Sequence, residues 1–127
     1  MNYTDYNAKA WDAIAEGRTE DGRAQFTKII SHEDYLRAKE GILQVSLTSS
    51  KYVPESWFPP LKGKKLLGLA CGGGQQGPVF AAHGAIVTIT DLSSRQLEHE
   101  NLAAKREGYS ITTLLCDMEK PLPFADN

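Results

Sequence analysis

The stretch KLLGLACGGGQQG, residues 65–77, decides the fold of this chain. It begins with a short apolar run, passes through Gly72, Gly73 and Gly74, and reaches a further glycine at Gly77. Glycines let the backbone turn sharply, and they let a ligand approach without Cβ atoms in the way. A helix that follows such a loop points its N–H groups and its positive end at the ligand. The stretch therefore predicts a strand, a ligand-binding turn and a helix.

Strand and helix patterns alternate from this stretch to the end of the sequence. We predict strands over residues 65–70, 85–90 and 111–116, and helices over residues 75–83 and 93–107. A glycine that can end the helix follows each helical segment. The order strand, helix, strand, helix, strand predicts an α/β fold in which a parallel sheet is joined by right-handed crossovers.

The residues before the glycine-rich stretch have a different character, because they are polar, rich in aromatic side chains and helical in pattern. Trp11 and Ile14 lie on one face of a first helix, and Ser31 has the residue type that caps the start of a second helix. We therefore divide the chain into an N-terminal helical cap, residues 1–62, and a half-domain with an incomplete sheet of about three strands, residues 63–127.

The composition of the chain argues against several classes of function. The chain has 127 residues and a formal net charge of −2, so nucleic-acid binding is not indicated. No apolar run approaches the ~20 residues that cross a membrane, and the first residues, Met1 to Asp5, do not resemble a signal peptide. Cys71 and Cys116 have neither disulfide nor zinc spacing. We therefore expect reduced thiols, no metal site and a cytoplasmic protein.

Two acids follow the second and third predicted strands. Asp91 lies 19 residues after Gly72 (91 − 72), where an acid hydrogen-bonds the ribose hydroxyls of a bound nucleoside. Its alternative role is to cap the next helix, for which Ser93 and the residues after it also offer a capping box. Asp117, followed by Met118, can accept a hydrogen bond from an adenine amino group, and its alternative role is that of a turn residue.

These residues resemble the motifs of a known family, the class I S-adenosylmethionine-dependent methyltransferases. Residues 65–74 resemble the first motif of the family, and Asp91-Leu92 resembles the acidic position after its second strand. Residues 116–118, with 121–124, resemble the segment that contacts adenine. The resemblance implies a Rossmann-like methyltransferase with S-adenosyl-L-methionine as its cofactor, in which this chain carries the cofactor-binding half. It does not name the acceptor.

The resemblance also implies a role for each matching residue. The implied cofactor-binding residues are Ala70, Gly72, Gly73, Gly74, Gln76, Asp91, Leu92, Asp117, Met118 and Tyr6. In this set Asp91 binds the ribose, Asp117 and Met118 read the adenine edge, and Gln76 or Tyr6 holds the amino-acid end. Tyr6 enters because the early helix is similar to one that covers the cofactor in such enzymes.

The sequence departs from the family at two places, and it names no catalytic residue. Gly68 stands where the family usually has an acid that orients the cofactor's ammonium group, and Ala70 stands where it usually has glycine. His32, His83 and His99 are scattered along the chain, so no catalytic base stands out.

Two alternatives stay open from the sequence alone. The first is an NAD(P)-binding oxidoreductase domain, because Gly72, Gly74 and Gly77 satisfy the dinucleotide-binding fingerprint. The second is a cofactor-binding fragment without catalytic activity, because the match stops before a fourth strand would begin. We expect no methyl transfer by these 127 residues alone.

The missing strands also lead to an expectation about partners. Leu66, Leu67 and Leu69 come from a strand patterned for burial on both faces, and no proline or inward-facing charge protects its outer edge. We expect either that two copies of the chain associate through this edge or the adjoining apolar face, or that the N-terminal helices fold over to cover the gap.

Overall fold

A computed structural model describes residues 2–17, 28–48 and 50–126 and shows an α/β chain. Its elements in chain order are α1 (Tyr3–Ala15), α2 (His32–Lys39), a short 3-10 turn (Glu55–Trp57), β1 (Lys65–Gly68), α3 (Gln76–Ala82), β2 (Ile86–Asp91), α4 (Ser94–Glu107) and β3 (Thr112–Leu115). The predicted alternation of strands and helices is confirmed. The predicted and observed ends of these elements differ by no more than two residues.

The three strands form one parallel sheet in the order β1-β2-β3. Leu66 of β1 lies opposite Val87 of β2, and Ile89 of β2 lies opposite Thr113 of β3. Parallel neighbours need crossover connections, which α3 and α4 provide. The central position of β2 explains its burial, since Val87 and Ile89 are almost completely buried.

Apolar side chains in β1 and directly after it remain partly exposed beside the unpaired outer edge of the strand. Among the described residues β1 pairs with β2 alone, and Leu67 and Leu69 remain 43% and 44% exposed. The N-terminal helices pack elsewhere, α1 on α4 and α2 on α3, and so leave these two side chains uncovered. The second copy that we expect on this edge stays a prediction.

One hydrophobic core joins the N-terminal residues to the sheet. Its buried members are Ala38, Leu43, Val45, Leu61, Val79, Phe80, Val87, Ile89 and Leu97. The first four precede the glycine-rich loop and the others follow it, so residues on both sides of position 62 share this core. Each large apolar side chain that is fully buried there stabilises the fold by about 1.5–3 kcal/mol.

The start of α4 confirms the predicted cap and differs from it in one contact. Ser93 Oγ accepts a hydrogen bond from the backbone N–H of Gln96 at 3.2 Å, as in a capping box. The side chain of Gln96 does not return this bond but donates to the carbonyl of Trp11 at 3.4 Å. Asp91 Oδ1 instead accepts from the Ser93 N–H at 3.0 Å. The side chain of Gln96 therefore links the start of α4 to α1.

Polar contacts hold α1 against the start of α4. Asp12 accepts hydrogen bonds from the hydroxyl of Ser93 and, at 3.3 Å, from the backbone N–H of Arg95. The guanidinium of Arg95 pairs with Glu16 at 2.8 Å. A carboxylate is stabilised at this position because the positive end of the α4 dipole lies beside it. Ile14 is the buried apolar residue of α1.

We predict that Asp12→Ala loosens α1. The change removes the carboxylate that receives two donors at the start of α4, a loss of about 1–2 kcal/mol. Amide hydrogen exchange in α1 should therefore accelerate by about 5- to 30-fold. Asp5→Ala is the matched control because it removes an exposed acid from the same helix. Equal exchange rates in the two variants would contradict the role given to Asp12.

Candidate functional site

A cavity of about 450 Å³ lies at the carboxyl ends of the strands. Its walls come from the loop after β1, the residues that follow β2 and β3, and α1. Ligands of open parallel sheets bind at this end of the strands, and the volume is within the range of small-molecule sites.

The cavity brings together seven of the ten predicted site residues. The seven that line it are Ala70, Gly72, Gln76, Asp91, Leu92, Asp117 and Met118. Gly73 and Gly74 are buried behind the cavity wall, and Tyr6 lies on α1 with 62% of its surface exposed. The cofactor contacts expected of all ten residues stay predictions.

Asp91 is anchored at the centre of this site. Its Oδ2 accepts a hydrogen bond from the Gly72 N–H at 2.9 Å, and its Oδ1 accepts from the Ser93 N–H at 3.0 Å. The side chain is mostly buried and still lines the cavity. Each carboxylate oxygen can accept more than one hydrogen bond, so these contacts leave acceptor capacity for ribose hydroxyls. Both roles considered for Asp91 are therefore compatible with one rotamer.

Gly72 and Gly74 of the loop are required by their packing on α4. A Cβ atom at Gly72 would lie 2.8 Å from Gln96 Cβ, and a Cβ atom at Gly74 would lie 2.9 Å from the carbonyl oxygen of His99. Gly74 also has a φ of +76°, a left-handed conformation that favours glycine. Gly73 donates its N–H to the Gln96 carbonyl at 3.0 Å.

The N–H groups of these glycines all point into the protein. The Gly72 N–H donates to Asp91, the Gly73 N–H to Gln96, and the Gly74 N–H to Glu100 Oε1 at 2.9 Å. The sequence predicted that the N–H groups of the helix after the loop face a ligand, and for α3 this stays a prediction. The three glycine N–H groups are not available to a ligand, because two carboxyl groups and a carbonyl of the protein accept from them.

The structure gives a physical account of the two departures from the family pattern. A Cβ atom at Gly68 would overlap Cys71 Sγ and Ile89 Cδ1, so the space for an acid at this position is filled. Ala70 has a φ of +52° and is the one described residue other than glycine in the left-handed region. That conformation costs an alanine about 1–2 kcal/mol.

Cys71 lines the cavity, and burial disfavours the nucleophilic thiolate form of its side chain. Burial raises the pKa of Cys71 to about 11, and the charges of Glu100 and Asp91 add to this effect. The thiol therefore stays protonated at neutral pH, and it packs as a small apolar group. Cys116 also lines the cavity, and both cysteines are free.

Asp117 forms a turn at the end of β3. Its Oδ1 accepts from the Glu119 N–H and its carbonyl accepts from the Lys120 N–H, both at 3.0 Å. The turn role considered for Asp117 is therefore present, and its carboxylate also reaches the cavity. The Cys116 N–H donates to the Asp91 carbonyl at 2.9 Å, which holds the second and third strand ends side by side.

Helix α1 contributes residues that the sequence argument missed. Thr4, Asn7 and Trp11 line the cavity, whereas Tyr6 does not. Positions 4, 7 and 11 follow the i, i+3, i+7 spacing of one helix face, and position 6 lies off that face. This spacing was the signal that could have placed Asn7 and Trp11 at the site in place of Tyr6.

Comparison with known proteins identifies the family. Residues 67–127 match the family model of a methyltransferase domain. Over 121 residues the chain is 42% identical to the uncharacterized methyltransferase YbaJ of Bacillus subtilis (strain 168). The chain belongs to the class I S-adenosylmethionine-dependent methyltransferase family. The alignment covers 95% of the chain and 46% of YbaJ, so the chain spans about half the length of this relative. Neither finding supports the oxidoreductase alternative.

No helix in residues 2–17, 28–48 and 50–126 has the length and apolar character that a membrane span requires. The same residues contain no group of three or more histidine, cysteine, aspartate or glutamate side chains placed to hold a metal ion.

We predict that Ala70→Gly stabilises this methyltransferase chain. Relief of the left-handed strain exceeds the entropy cost of a glycine, so the free energy of unfolding should rise by about 0.5–1 kcal/mol in urea denaturation. Ala10→Gly, in the helical backbone of α1, is the control and should lower the free energy of unfolding by about 0.5–1 kcal/mol. A loss of stability in both variants would show that Ala70 is not strained.

Proposed function

We propose that this chain is the cofactor-binding part of an S-adenosylmethionine-dependent methyltransferase whose acceptor is not named by the sequence. The observation that carries the proposal is the meeting of three strand ends at one cavity. The Gly72 loop follows β1, Asp91 ends β2 and Asp117 follows β3, and all three line the same space.

The residues around the cavity suit a nucleoside. Asp91 offers acceptors for ribose hydroxyls, while Leu92 and Met118 offer apolar surface to an adenine ring. Asp117 offers an acceptor for the adenine amino group. At the amino-acid end the filled space at Gly68 leaves neutral amides, among them that of Gln76, to contact the cofactor.

The glycine loop argues against a dinucleotide in this cavity. A pyrophosphate is held by backbone N–H groups of the glycine-rich loop and of the helix start that follows it. In this chain the N–H groups of Gly72, Gly73 and Gly74 donate to protein acceptors, and two of those acceptors are carboxyl groups. An anionic pyrophosphate would lie near these acids, whereas S-adenosylmethionine has no phosphate and carries a positive sulfonium.

The chain's contribution to methyl transfer is alignment and exclusion of water. When bound, S-adenosylmethionine supplies an electrophilic methyl group on its sulfonium. Asp91, anchored by Gly72 and Ser93, would fix the ribose. Trp11 and Asn7 of α1 close one side of the cavity and reduce its contact with water. Fixing the orientation of the reacting groups accounts for much of the rate of such displacements.

Calorimetry on the chain with S-adenosylhomocysteine and, separately, with NAD tests the proposed function. S-adenosylhomocysteine should bind and NAD should not, because the loop offers a pyrophosphate none of the three glycine N–H groups. Binding of NAD without binding of S-adenosylhomocysteine would overturn the proposal in favour of the oxidoreductase alternative.

We predict that Asp91→Ala weakens binding of S-adenosylhomocysteine by about 10- to 150-fold, because it removes charge-assisted hydrogen bonds worth about 1.5–3 kcal/mol. Asp34→Ala, which removes an exposed acid from α2, is the control and should leave the dissociation constant unchanged. Thermal unfolding of both variants separates binding from folding. A lower unfolding temperature together with an unchanged dissociation constant would show that Asp91 serves only the loop and the start of α4.

A further inference from the structure

A carboxyl group with no role in the proposed cofactor contacts lies directly behind the glycine loop. Glu100 of α4 has 0% of its surface exposed. Its Oε1 accepts the Gly74 N–H at 2.9 Å, while its Oε2 has no hydrogen-bond partner among the described residues. Buried polar atoms are normally paired, so an unpaired carboxyl oxygen at this depth calls for a physical explanation.

The chain makes room for this carboxyl group. A Cβ atom at Gly77 would lie 2.5 Å from Glu100 Oε2, so glycine at this position lets α3 pack directly over the carboxyl group. Glu100 therefore contacts the loop at Gly74 and the first turn of α3 at Gly77. A change in the position or charge of Glu100 therefore affects both ends of the segment from Gly74 to Gly77.

Hydrogen bonds fix both the N–H and the carbonyl group of Gly74. Its N–H donates to Glu100, and its carbonyl accepts the Ile30 N–H at 2.8 Å. Gly72 and Gly73 are fixed by Asp91 and by the Gln96 carbonyl. The side chain that holds the Gly74 N–H, that of Glu100, lies behind the loop and does not line the cavity.

The titratable groups that face Glu100 are Asp91 of β2, Cys71 of the loop and Tyr109 beyond α4, and α3 contributes none. No cation contributes to its pKa among the described residues. Burial raises the pKa of Glu100 to about 7, the Gly74 hydrogen bond opposes the rise, and the charge of Asp91 adds to it. The carboxyl group is therefore mainly protonated at pH 6 and mainly ionised at pH 8.5.

We propose that Glu100 is a positioning residue of the cofactor site, whose neutral carboxyl group holds Gly74 from behind and fixes the glycine loop against α4. Ionisation strengthens the acceptor for the Gly74 N–H, but it also buries a second negative charge beside Asp91 with no donor on Oε2. The cost of that buried charge exceeds the gain in the hydrogen bond, and opening of the loop relieves it. The effect on cofactor affinity rests on the proposed function, whereas the anchoring of the loop does not.

Amide exchange at Gly74 in the ligand-free chain tests the anchoring. Glu100→Ala removes the acceptor and should accelerate exchange of the Gly74 amide by about tenfold or more. Glu100→Gln keeps an acceptor and the shape of the neutral acid, and should restore exchange to within about threefold of the original chain. The Gly72 amide, held by Asp91, is the internal control. Unchanged exchange at Gly74 in Glu100→Ala would overturn the anchoring.

The pH dependence of stability gives a readout that packing alone would not move. The unfolded chain ionises Glu100 near its ordinary pKa of 4.5, and the folded chain near 7. The unfolded state therefore binds fewer protons between these values, and the stability of the original chain should fall relative to Glu100→Gln as the pH rises from about 4.5 to 7. Glu40→Gln, at an exposed acid, should show no such change relative to the original chain. A constant difference between the original chain and Glu100→Gln would contradict a neutral buried acid.

Titration with S-adenosylhomocysteine tests the link to the cofactor. At each pH the dissociation constant of the original chain is divided by that of Glu100→Gln. The ligand's own ionisation affects both constants equally and so cancels in this ratio. We expect a ratio near one at pH 6 and a rise of about fivefold by pH 8.5. A flat ratio would overturn the link to affinity. If the original chain does not bind S-adenosylhomocysteine at all, the proposed function fails, and the exchange and stability measurements alone decide the role of Glu100.

Discussion

Three hydrogen bonds hold the loop after β1 against the end of β2 and against α4, and the rest of the site depends on them. Successive glycine N–H groups donate to Asp91, to the carbonyl of Gln96 and to Glu100. The bonds require close contact between the loop and α4, and side chains at Gly72 or Gly74 would prevent it. The glycines thus serve the packing of the protein first. The cavity lies beside this loop, and Gln96 of α4 also contributes to its lining.

The same region of α4 positions the helix that covers the cavity. Ser93 links the two functions, because its N–H donates to Asp91 while its hydroxyl donates to Asp12 of α1. The acid proposed to bind the ribose and the helix that closes the site are therefore joined through one buried serine. A shift at Asp91 on cofactor binding would be transmitted to α1 through two hydrogen bonds.

The sequence predicted the sheet, its crossovers and most of the cavity wall, because apolar periodicity and glycine position are local signals. It did not predict the role of Glu100, since that side chain meets Gly74 only after α4 packs across the loop. The family resemblance points to Tyr6, whereas the helical spacing of α1 indicates Asn7 and Trp11, which line the cavity. The direction of the glycine N–H groups was likewise decided by tertiary contacts.

The proposed function requires that a nucleoside binds at the three strand ends, in front of a loop whose glycine N–H groups already donate to the protein. Amide NMR during a titration with S-adenosylhomocysteine tests this claim most directly. The proposed function predicts large chemical-shift changes at the amides of Leu92, Met118 and Asn7, which line the cavity. The Gly74 amide should remain protected from exchange. The described residues also form another cavity, which Arg37 and Tyr52 help to line. Shifts concentrated there, with none at the strand ends, would contradict the proposed function.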